Sequence, residues 1–279
     1  MKALFKAIGF SLCLALAPAA SVFAQTAAPT PAAAPTETVT RYGYRVVKVH
    51  PHDPDAFTQG LFVLNGRLFE STGMAGASSL REVELATGKV MRKRDIERPY
   101  FAEGVAPWGN SIIGLTWTHG KAFVWDRESF APKGEYAYTG EGWGLTGDGR
   151  QLILSDGTDR LRFLDPQTFK VTREVPVTLR GEPIEMLNEL EYVQGQVYAN
   201  VWQTDYIVRI DPKDGRINGI IDLSGLISHG PAVTKRIDVL NGIAFDPVSK
   251  HLLVTGKYWP ALFEIELIDK VTGAPYVFR

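Results

Sequence analysis

Phe101-Ala102-Glu103-Gly104-Val105 is the stretch that decides the fold, because its pattern returns four more times along the chain. The other copies are Phe57-Thr58-Gln59-Gly60-Leu61, Glu141-Gly142-Trp143-Gly144-Leu145, Leu187-Asn188-Glu189-Leu190-Glu191 and Leu240-Asn241-Gly242-Ile243-Ala244. Aligned as one column, residues 60, 104, 144, 189 and 242 lie 44, 40, 45 and 53 residues apart. Repeats of this length without helical periodicity predict an all-β fold, a five-bladed β-propeller with one blade per repeat.

Composition fits one large domain with a packed core. The chain has 279 residues, of which 45% are hydrophobic and 11% aromatic. The formal net charge of −1 argues against a nucleic-acid partner. The one cysteine, Cys13, lies in a segment that we expect to be removed, and its loss would exclude disulfides, thiolate metal sites and cysteine nucleophiles.

The first 24 residues have the features of a secretory signal peptide. Lys2 and Lys6 precede a short apolar run at 8–17, and Val22-Phe23-Ala24 fits the small-residue rule for cleavage after Ala24. The alternative is an uncleaved anchor, for which the apolar run is short. We therefore predict a periplasmic or secreted protein, monomeric and without a membrane partner once the signal is cleaved. Residues 25–41, rich in Ala, Pro and Thr, are predicted to be a disordered linker before a propeller at 42–279.

Each repeat has the same order of predicted strands. The first strand starts at the column, a turn follows, and the second and third strands come next, before a weaker, polar outer strand. The second strands are predicted at 67–71, 111–117, 151–155, 196–202 and 251–255, and the third at 79–85, 122–126, 161–165, 207–211 and 262–267. A lone strand at 44–49 would complete the last blade and close the ring. Residues 220–236 are predicted to be an excursion over one face.

The side chains before the column are the candidates for the chemistry. They are Gln59, Glu103, Trp143, Asn188 and Asn241. Thirteen positions after the column lie Gly73, Trp117, Gly157 and Trp202, and the longer turn of the last repeat brings Lys257 to that register. Because the strands of a hairpin are antiparallel, the start of the first and the end of the second share a face. We therefore expect these residues around one channel mouth.

Each candidate also has an ordinary structural interpretation. Glu103 could bond exposed backbone in a wet channel, although tryptophans beside it would exclude water and raise its pKa toward neutrality. The tryptophans could be core, and Lys257 could be a solvated loop residue. Gln59 and Asn188 could be turn residues bonded to backbone, and Asn241 is assigned mainly to that class.

Two other polar groups are weak metal-site candidates. His50 and His52 form an H-x-H pair that we expect at a solvated strand end, because no third histidine is near. Asp156 and Asp159 lack the spacing of an EF-hand calcium loop. We predict no metal and no cofactor.

Several motifs in one order resemble the plant and bacterial glutaminyl cyclases (glutaminyl-peptide cyclotransferases). Besides segments of the repeats at 57–61, 102–104, 141–145 and 188–192, the resemblance rests on Leu115-Thr116-Trp117, Ala199-Asn200-Val201-Trp202-Gln203-Thr204 and Val254-Thr255-Gly256-Lys257-Tyr258-Trp259-Pro260. It covers about residues 42–268. It implies a five-bladed propeller that converts the N-terminal glutamine of peptides or proteins to pyroglutamate and releases ammonia without a catalytic metal, unlike the animal zinc enzymes.

By position, the resemblance also implies residue roles. Glu103 would be the acid/base, and Gln59, Asn188 and Lys257 would contact the polar ends of the substrate. The pocket walls would be Phe57, Phe101, Trp117, Trp143 and Trp202.

Two other function classes compete with this interpretation. A non-catalytic propeller could bind a peptide or sugar end in the same aromatic mouth, since aromatics and amides serve binding as well as catalysis. A metal-dependent propeller lactonase or hydrolase is disfavoured by the lack of clustered carboxylates in the predicted mouth.

Overall fold

The computed structural model describes residues 38–279, and this part of the chain is built almost wholly from β-strands. The predicted signal peptide, and the predicted linker up to residue 37, lie outside the described residues. The first strand, β1 (Thr40–Pro51), begins two residues before the predicted start of the propeller. Within 38–279, no helix has the length and apolarity needed to cross a membrane.

Three separate four-stranded antiparallel sheets follow β1, one for each of the first three repeats. The first contains β2 (Thr58–Leu64), β3 (Arg67–Thr72), β4 (Ser79–Glu84) and β5 (Lys89–Asp95). The second contains β6 (Ala102–Trp108), β7 (Ser111–Thr116), β8 (Lys121–Asp126) and β9 (Pro132–Ala137). The third contains β10 (Leu145–Gly147), β11 (Leu152–Leu154), β12 (Arg160–Leu164) and β13 (Val171–Pro176).

The last two repeats share one eight-stranded sheet. After a short hairpin, β14 (Thr178–Leu179) and β15 (Glu182–Pro183), come β16 (Leu187–Val193), β17 (Gln196–Val201), β18 (Tyr206–Ile210), β19 (Ile217–Asp222), β20 (Leu240–Asp246), β21 (His251–Gly256) and β22 (Ala261–Asp269). The strand order is β16-β17-β18-β19-β1-β22-β21-β20. As predicted, β1 pairs antiparallel with the last strand, β22, and beyond that only its first three residues pair with β19.

The first strands of the five repeats contact one another in a closed cycle, β2 to β6, β10, β16, β20 and back to β2. Such a cycle fits a propeller, whose sheets stand around a central axis. These strands are buried, whereas an outer strand such as β9 is exposed along most of its length, as an edge strand should be.

Apolar side chains fill the spaces between successive sheets. Phe62 and Phe69 of the first sheet pack with Val105 and Trp125 of the second, and equivalent clusters occupy the other four boundaries. Burying one such phenylalanine stabilises the fold by roughly 1.5–3 kcal/mol. The core therefore holds the sheets together face to face and leaves the ends of the first strands free to form a site.

The glycines of the repeat column are explained by close approach of neighbouring backbones. A Cβ on Gly104 would lie 2.5 Å from the Leu145 nitrogen, and one on Gly144 would lie 2.1 Å from the Asn188 oxygen. Both distances are shorter than any real carbon contact. A side chain here would force adjacent first strands apart, so the column is glycine wherever the strands meet most closely.

Two sequence-based predictions are wrong. Residues 217–222 form the outer strand β19, so the predicted excursion at 220–236 begins only after Asp222, and it contains the 3-10 helix Leu226–His229. His50 and His52 are buried rather than solvated. His52 donates from Nδ1 to the Trp259 carbonyl at 2.7 Å, and its Nε2 lies 3.0 Å from Glu70. The pair therefore fastens the end of β1 inside the fold.

Candidate active site

Irregular pairing between the first and second strands of a repeat leaves the candidate residues outside the regular ladder of backbone hydrogen bonds. In four of the five hairpins the register between the first and second strands shifts at the column, and the skipped positions include Gln59, Glu103, Asn188 and Asn241. Such bulges leave residues unpaired and re-aim their side chains. In the remaining repeat, Trp143 lies just before β10 and donates from its backbone nitrogen to Ser155.

Nine predicted site residues line one cavity of about 210 Å³. They are Phe57, Gln59, Phe101, Glu103, Trp117, Trp143, Asn188, Trp202 and Lys257. Asn241, the tenth candidate, is fully buried behind them. Seven of these nine were placed around one mouth by the repeat register, and Phe57 and Phe101 were added by the family resemblance.

The polar floor of the cavity is a short chain of hydrogen bonds that ends on Glu103. Asn241 donates from Nδ2 to the Thr58 carbonyl at 3.0 Å and to Gln59 Oε1 at 3.3 Å. Gln59 in turn donates from Nε2 to Glu103 Oε1 at 2.9 Å. The backbone bond fits the role predicted for Asn241. Because Asn241 fixes the orientation of the Gln59 amide, the amide N–H is held toward the carboxyl group.

Burial dominates the electrostatics of Glu103, which is only 5% exposed. Loss of water raises the pKa of Glu103 well above its ordinary value, as predicted; the Lys257 ammonium opposes this rise and the Glu141 carboxylate adds to it. Burial likewise lowers the pKa of Lys257, while Glu103 and Asp238 act in the other direction. Burial thus shifts the two pKa values in opposite directions, toward each other.

Aromatic rings form the walls of the cavity. Phe57 meets Phe101 edge to face at 5.9 Å between centroids, and Phe101 meets Trp117 at 5.8 Å. On the other side, Trp143 and Trp202 meet at 5.6 Å. Trp117 is 42% exposed, so the wall extends from the buried floor to solvent. The sides of the cavity are thus mainly aromatic, and the hydrogen-bonded chain of polar side chains lies at its floor.

Two of the positions thirteen residues after the column are glycines, and they make space for these rings. A Cβ on Gly73 would lie 2.4 Å from the Phe101 ring, and one on Gly157 would lie 2.7 Å from the Trp143 ring. The same register holds Trp117, Trp202 and Lys257 in the other repeats. Its five positions therefore either line the cavity or leave room for a residue that does.

Two further polar groups face the cavity from its side and floor. Lys257 Nζ lies 4.8 Å from the centroid of the Phe57 ring, a cation–π distance that holds the ammonium against one wall. Asn188 Oδ1 is buried and has no hydrogen-bond partner among residues 38–279. A buried acceptor of this kind can be satisfied by a bound ligand.

Glu141 is the residue that the sequence analysis did not select. Its Oε2 accepts hydrogen bonds from the indole N–H groups of Trp117 at 2.7 Å and Trp143 at 2.8 Å. The available signal was a carboxylate two residues before a candidate tryptophan. Glu141 holds the first place of its repeat copy, three residues before the column, but only the side chain directly before the column was considered for the chemistry.

Glu189 stands in the glycine column but serves the fold below the cavity. It is 1% exposed and accepts backbone hydrogen bonds from Leu61 and Ile243, on the two neighbouring first strands β2 and β20. In the part of the chain that the structure describes, no group of three or more His, Cys, Asp or Glu side chains is placed to hold a metal ion.

Comparison with known proteins gives one consistent family. The profile of the family described as glutamine cyclotransferase matches residues 16–267. A glutaminyl-peptide cyclotransferase of Arabidopsis thaliana is 46% identical over 228 residues, which cover 80% of this chain and 70% of that protein. The crystal structure of Myxococcus xanthus glutaminyl cyclase superposes with a TM-score of 0.76 at 38% identity, covering 82% of this chain and 98% of that one.

Proposed function

The chain belongs to the glutamine cyclotransferase family and is a glutaminyl-peptide cyclotransferase, and we propose that Glu103 carries the proton that its reaction must move. The observation that supports this role most directly is a carboxyl group buried at the floor of an aromatic cavity. Gln59 donates a hydrogen bond to it, and burial raises its pKa. The substrate is a peptide or protein whose N-terminal residue is glutamine.

The reacting groups both belong to the substrate. The α-amine attacks the δ-carbonyl carbon of its own side chain, so the enzyme must hold the extended glutamine in a folded rotamer. Aromatic walls on two sides of a small cavity suit this task, because a positioned near-attack geometry removes much of the entropic barrier. The α-amine has an ordinary pKa of about 7.7–8.0, so a useful fraction is neutral and nucleophilic at pH 7.

Glu103 moves one proton during the reaction. As the new C–N bond forms, the ionised carboxyl group accepts the proton that the amine releases. The tetrahedral intermediate then collapses, and Glu103 gives the proton to the leaving side-chain nitrogen while the old C–N bond breaks. Ammonia departs, the pyroglutamyl ring remains, and Glu103 is again a carboxylate. A buried carboxyl group with a raised pKa suits both halves of this cycle.

Asn188 and Lys257 are the best placed donors for the oxyanion of the intermediate. The Gln59 amide already donates to Glu103 and accepts from Asn241, so its main role is to orient the Glu103 carboxyl group. Asn188 and Lys257 line the same cavity as Glu103, and both side chains carry N–H groups that can donate. Removing one such donor from an acyl-transfer enzyme costs roughly 10²–10³ in kcat.

We also propose the finer architecture and the location. The closed cycle of five first strands, and the pairing of β1 with β22, support a five-bladed propeller closed by its N-terminal strand over residues 42–279. The sequence of residues 1–24 supports export to the periplasm or beyond, with cleavage after Ala24 and a linker at 25–41. We further propose that the protein acts as a monomer and without nucleic-acid or membrane partners.

Mass spectrometry of a glutaminyl peptide tests the proposal. The peptide should lose ammonia in the presence of the protein, equally with and without EDTA. A matched peptide with an acetylated N-terminus should stay unchanged, because its nitrogen is no longer nucleophilic. Binding of the free peptide without ammonia loss would favour the non-catalytic propeller instead. Activity that EDTA abolishes would favour a metal-dependent enzyme.

A further inference from the structure

The aromatic wall has two halves that are joined by a carboxylate. One half runs from Phe57 through Phe101 to Trp117, and the other contains Trp143 and Trp202. Between them stands Glu141, whose Oε2 accepts from both the Trp117 and the Trp143 indole N–H. One oxygen atom therefore fixes the position of the polar edge of two wall residues at once.

We propose that Glu141 is a positioning residue of the cyclisation, which acts by holding Trp117 and Trp143 at the spacing that fits a folded glutamine side chain. This inference rests on the proposed function. Glu141 itself is outside the group of residues that line the cavity. Its effect on the substrate is therefore transmitted through the two indole rings.

The segment that carries Glu141 is firmly held, as a positioning role requires. Arg162, buried on β12, donates one guanidinium N–H to the Thr139 carbonyl and another to the Glu141 carbonyl, both at 2.7 Å. Asp156 pairs with the same guanidinium group at 3.1 Å. On the other side, the Gly142 backbone nitrogen donates to the Trp117 carbonyl at 3.0 Å. Backbone and side chain thus tie this loop to both tryptophans.

The two hydrogen bonds that join Trp117 and Trp143 through Glu141 Oε2, called the bridge below, explain why position 141 carries an acidic residue. Each indole N–H can only donate, so two of them can be joined only by a group with at least two acceptor lone pairs. A carboxylate oxygen provides these, and its charge makes both hydrogen bonds stronger than neutral ones. Trp117 is 42% exposed, so without this bond its ring could adopt other rotamers more easily.

The consequence for catalysis is geometric. If an indole ring moves by about 1 Å, the substrate that it positions moves with it and the reacting atoms leave the near-attack arrangement. Such a displacement can lower the rate by up to about a hundredfold. Loss of the bridge should therefore lower kcat more than it raises KM. The Glu141 carboxylate also contributes to the raised pKa of Glu103, so it acts on the same reaction through space.

Two substitutions separate the bridge from other roles of Glu141. Glu141→Gln keeps an oxygen that can accept both indole N–H groups, whereas Glu141→Leu has a similar size and no acceptor. We expect kcat to fall by about tenfold or more in Glu141→Leu and to be largely retained in Glu141→Gln. Glu135→Leu, at an exposed glutamate on β9, is the matched control and should behave like wild type. Equal kcat values in the two Glu141 variants, high or low, would overturn the proposal.

An NMR measurement keeps this test independent of the reaction. The indole N–H resonances of Trp117 and Trp143, assigned with single Trp→Phe variants, should shift only slightly in Glu141→Gln and keep slow solvent exchange, because an oxygen still accepts from both. In Glu141→Leu both should shift and exchange faster. If wild type releases no ammonia, the proposed function fails, but these spectra still test whether Glu141 holds the two indole rings in place. Unchanged indole resonances in folded Glu141→Leu would show that the bridge does not hold the rings.

Discussion

Glu103 lies between two charged groups that act on it in opposite directions. Burial raises its pKa, and of the two charges Lys257 lowers the pKa while Glu141 raises it further. The carboxyl group can accept a proton only when it is ionised. Its neighbours therefore set the pH above which the proposed base is available, and the effect of removing either one has a definite sign.

Lys257→Met should move the acidic limb of the kcat profile to higher pH. Without the ammonium, burial and Glu141 remain, so the pKa of Glu103 rises and a smaller fraction is ionised at any given pH. The profiles of variant and wild type are measured with the same glutaminyl dipeptide, so that ionisation of the substrate contributes equally to both. Lys133→Met, at an exposed lysine of β9, is the control. A limb that stays in place or moves to lower pH would remove Lys257 from this role.

Most of the site could be predicted from the sequence, because its residues occupy equivalent places in a repeat. Gln59, Glu103 and Asn188 precede the column, and Trp117 and Trp202 share the register thirteen positions later. Contacts that depend on loop geometry could not be predicted. The double hydrogen bond of Glu141 depends on how the Thr139–Gly142 segment folds over Arg162, and no spacing in the sequence encodes it.

At the scale of the strand, the site depends on bulges beside close backbone contacts. The skipped positions in β6 and β16 free Glu103 and Asn188, while the next first strand lies against the bulge. Two serines at the ends of second strands secure this contact: Ser71, in β3, donates to the Glu103 carbonyl at 2.5 Å, and Ser155, directly after β11, donates to the Asn188 carbonyl at 2.6 Å. In these two cases one repeat thus helps to position the site residue of the next.

Gly144→Ala should damage both stability and activity. The added Cβ would lie 2.1 Å from the Asn188 oxygen, so the strands must separate and Asn188 must move. We expect a loss of about 1–3 kcal/mol in the free energy of unfolding, as for other overpacked core positions, and a lower kcat. Gly43→Ala is the matched control, because there the added carbon meets only the flexible end of Lys270. Thermal unfolding and kcat of both variants check this, and equal behaviour would contradict it.

The strands could be predicted in the repeats that have a similar length, but less well in the fourth repeat, which is longer. The second and third strands lie within one or two residues of their expected places. In the fourth repeat the long step concealed β19, although its buried positions alternate at Ile217, Gly219 and Ile221. His50 and His52 were misjudged for another reason. Their partners, Glu264 for His50 and Glu70 for His52, lie on other strands, and no local pattern shows that these groups meet.

At the scale of the molecule, Glu189 ties three first strands together below the cavity. From β16 it accepts one hydrogen bond from β2 at 3.2 Å and one from β20 at 2.7 Å. Burial first, and then the nearby Glu191 carboxylate, raise the pKa of Glu189 well above its ordinary value. At pH values between its unfolded and its folded pKa, Glu189 therefore holds a proton in the folded protein that the unfolded chain has released.

This proton makes stability depend on pH, with a definite sign. The contribution of Glu189 is complete below about pH 4.3, the ordinary value for glutamate, and is lost as the pH rises through its raised folded value. Denaturant unfolding between pH 5 and 8 should show wild type losing stability with rising pH by up to about 1 kcal/mol per unit more than Glu189→Gln. Glu185→Gln, at an exposed position, should keep the wild-type slope. Parallel slopes in wild type and Glu189→Gln would contradict the assignment.

The proton transfer by Glu103 is tested most directly by ammonia release from a glutaminyl dipeptide, measured for wild type, Glu103→Gln and the exposed-site control Glu135→Gln. Glutamine keeps the size of the side chain and removes the titrating group. With unfolding curves that show all three proteins folded, Glu103→Gln should turn over roughly a hundredfold or more slowly than wild type, and Glu135→Gln at the wild-type rate. Turnover by folded Glu103→Gln close to that of wild type would contradict the mechanism.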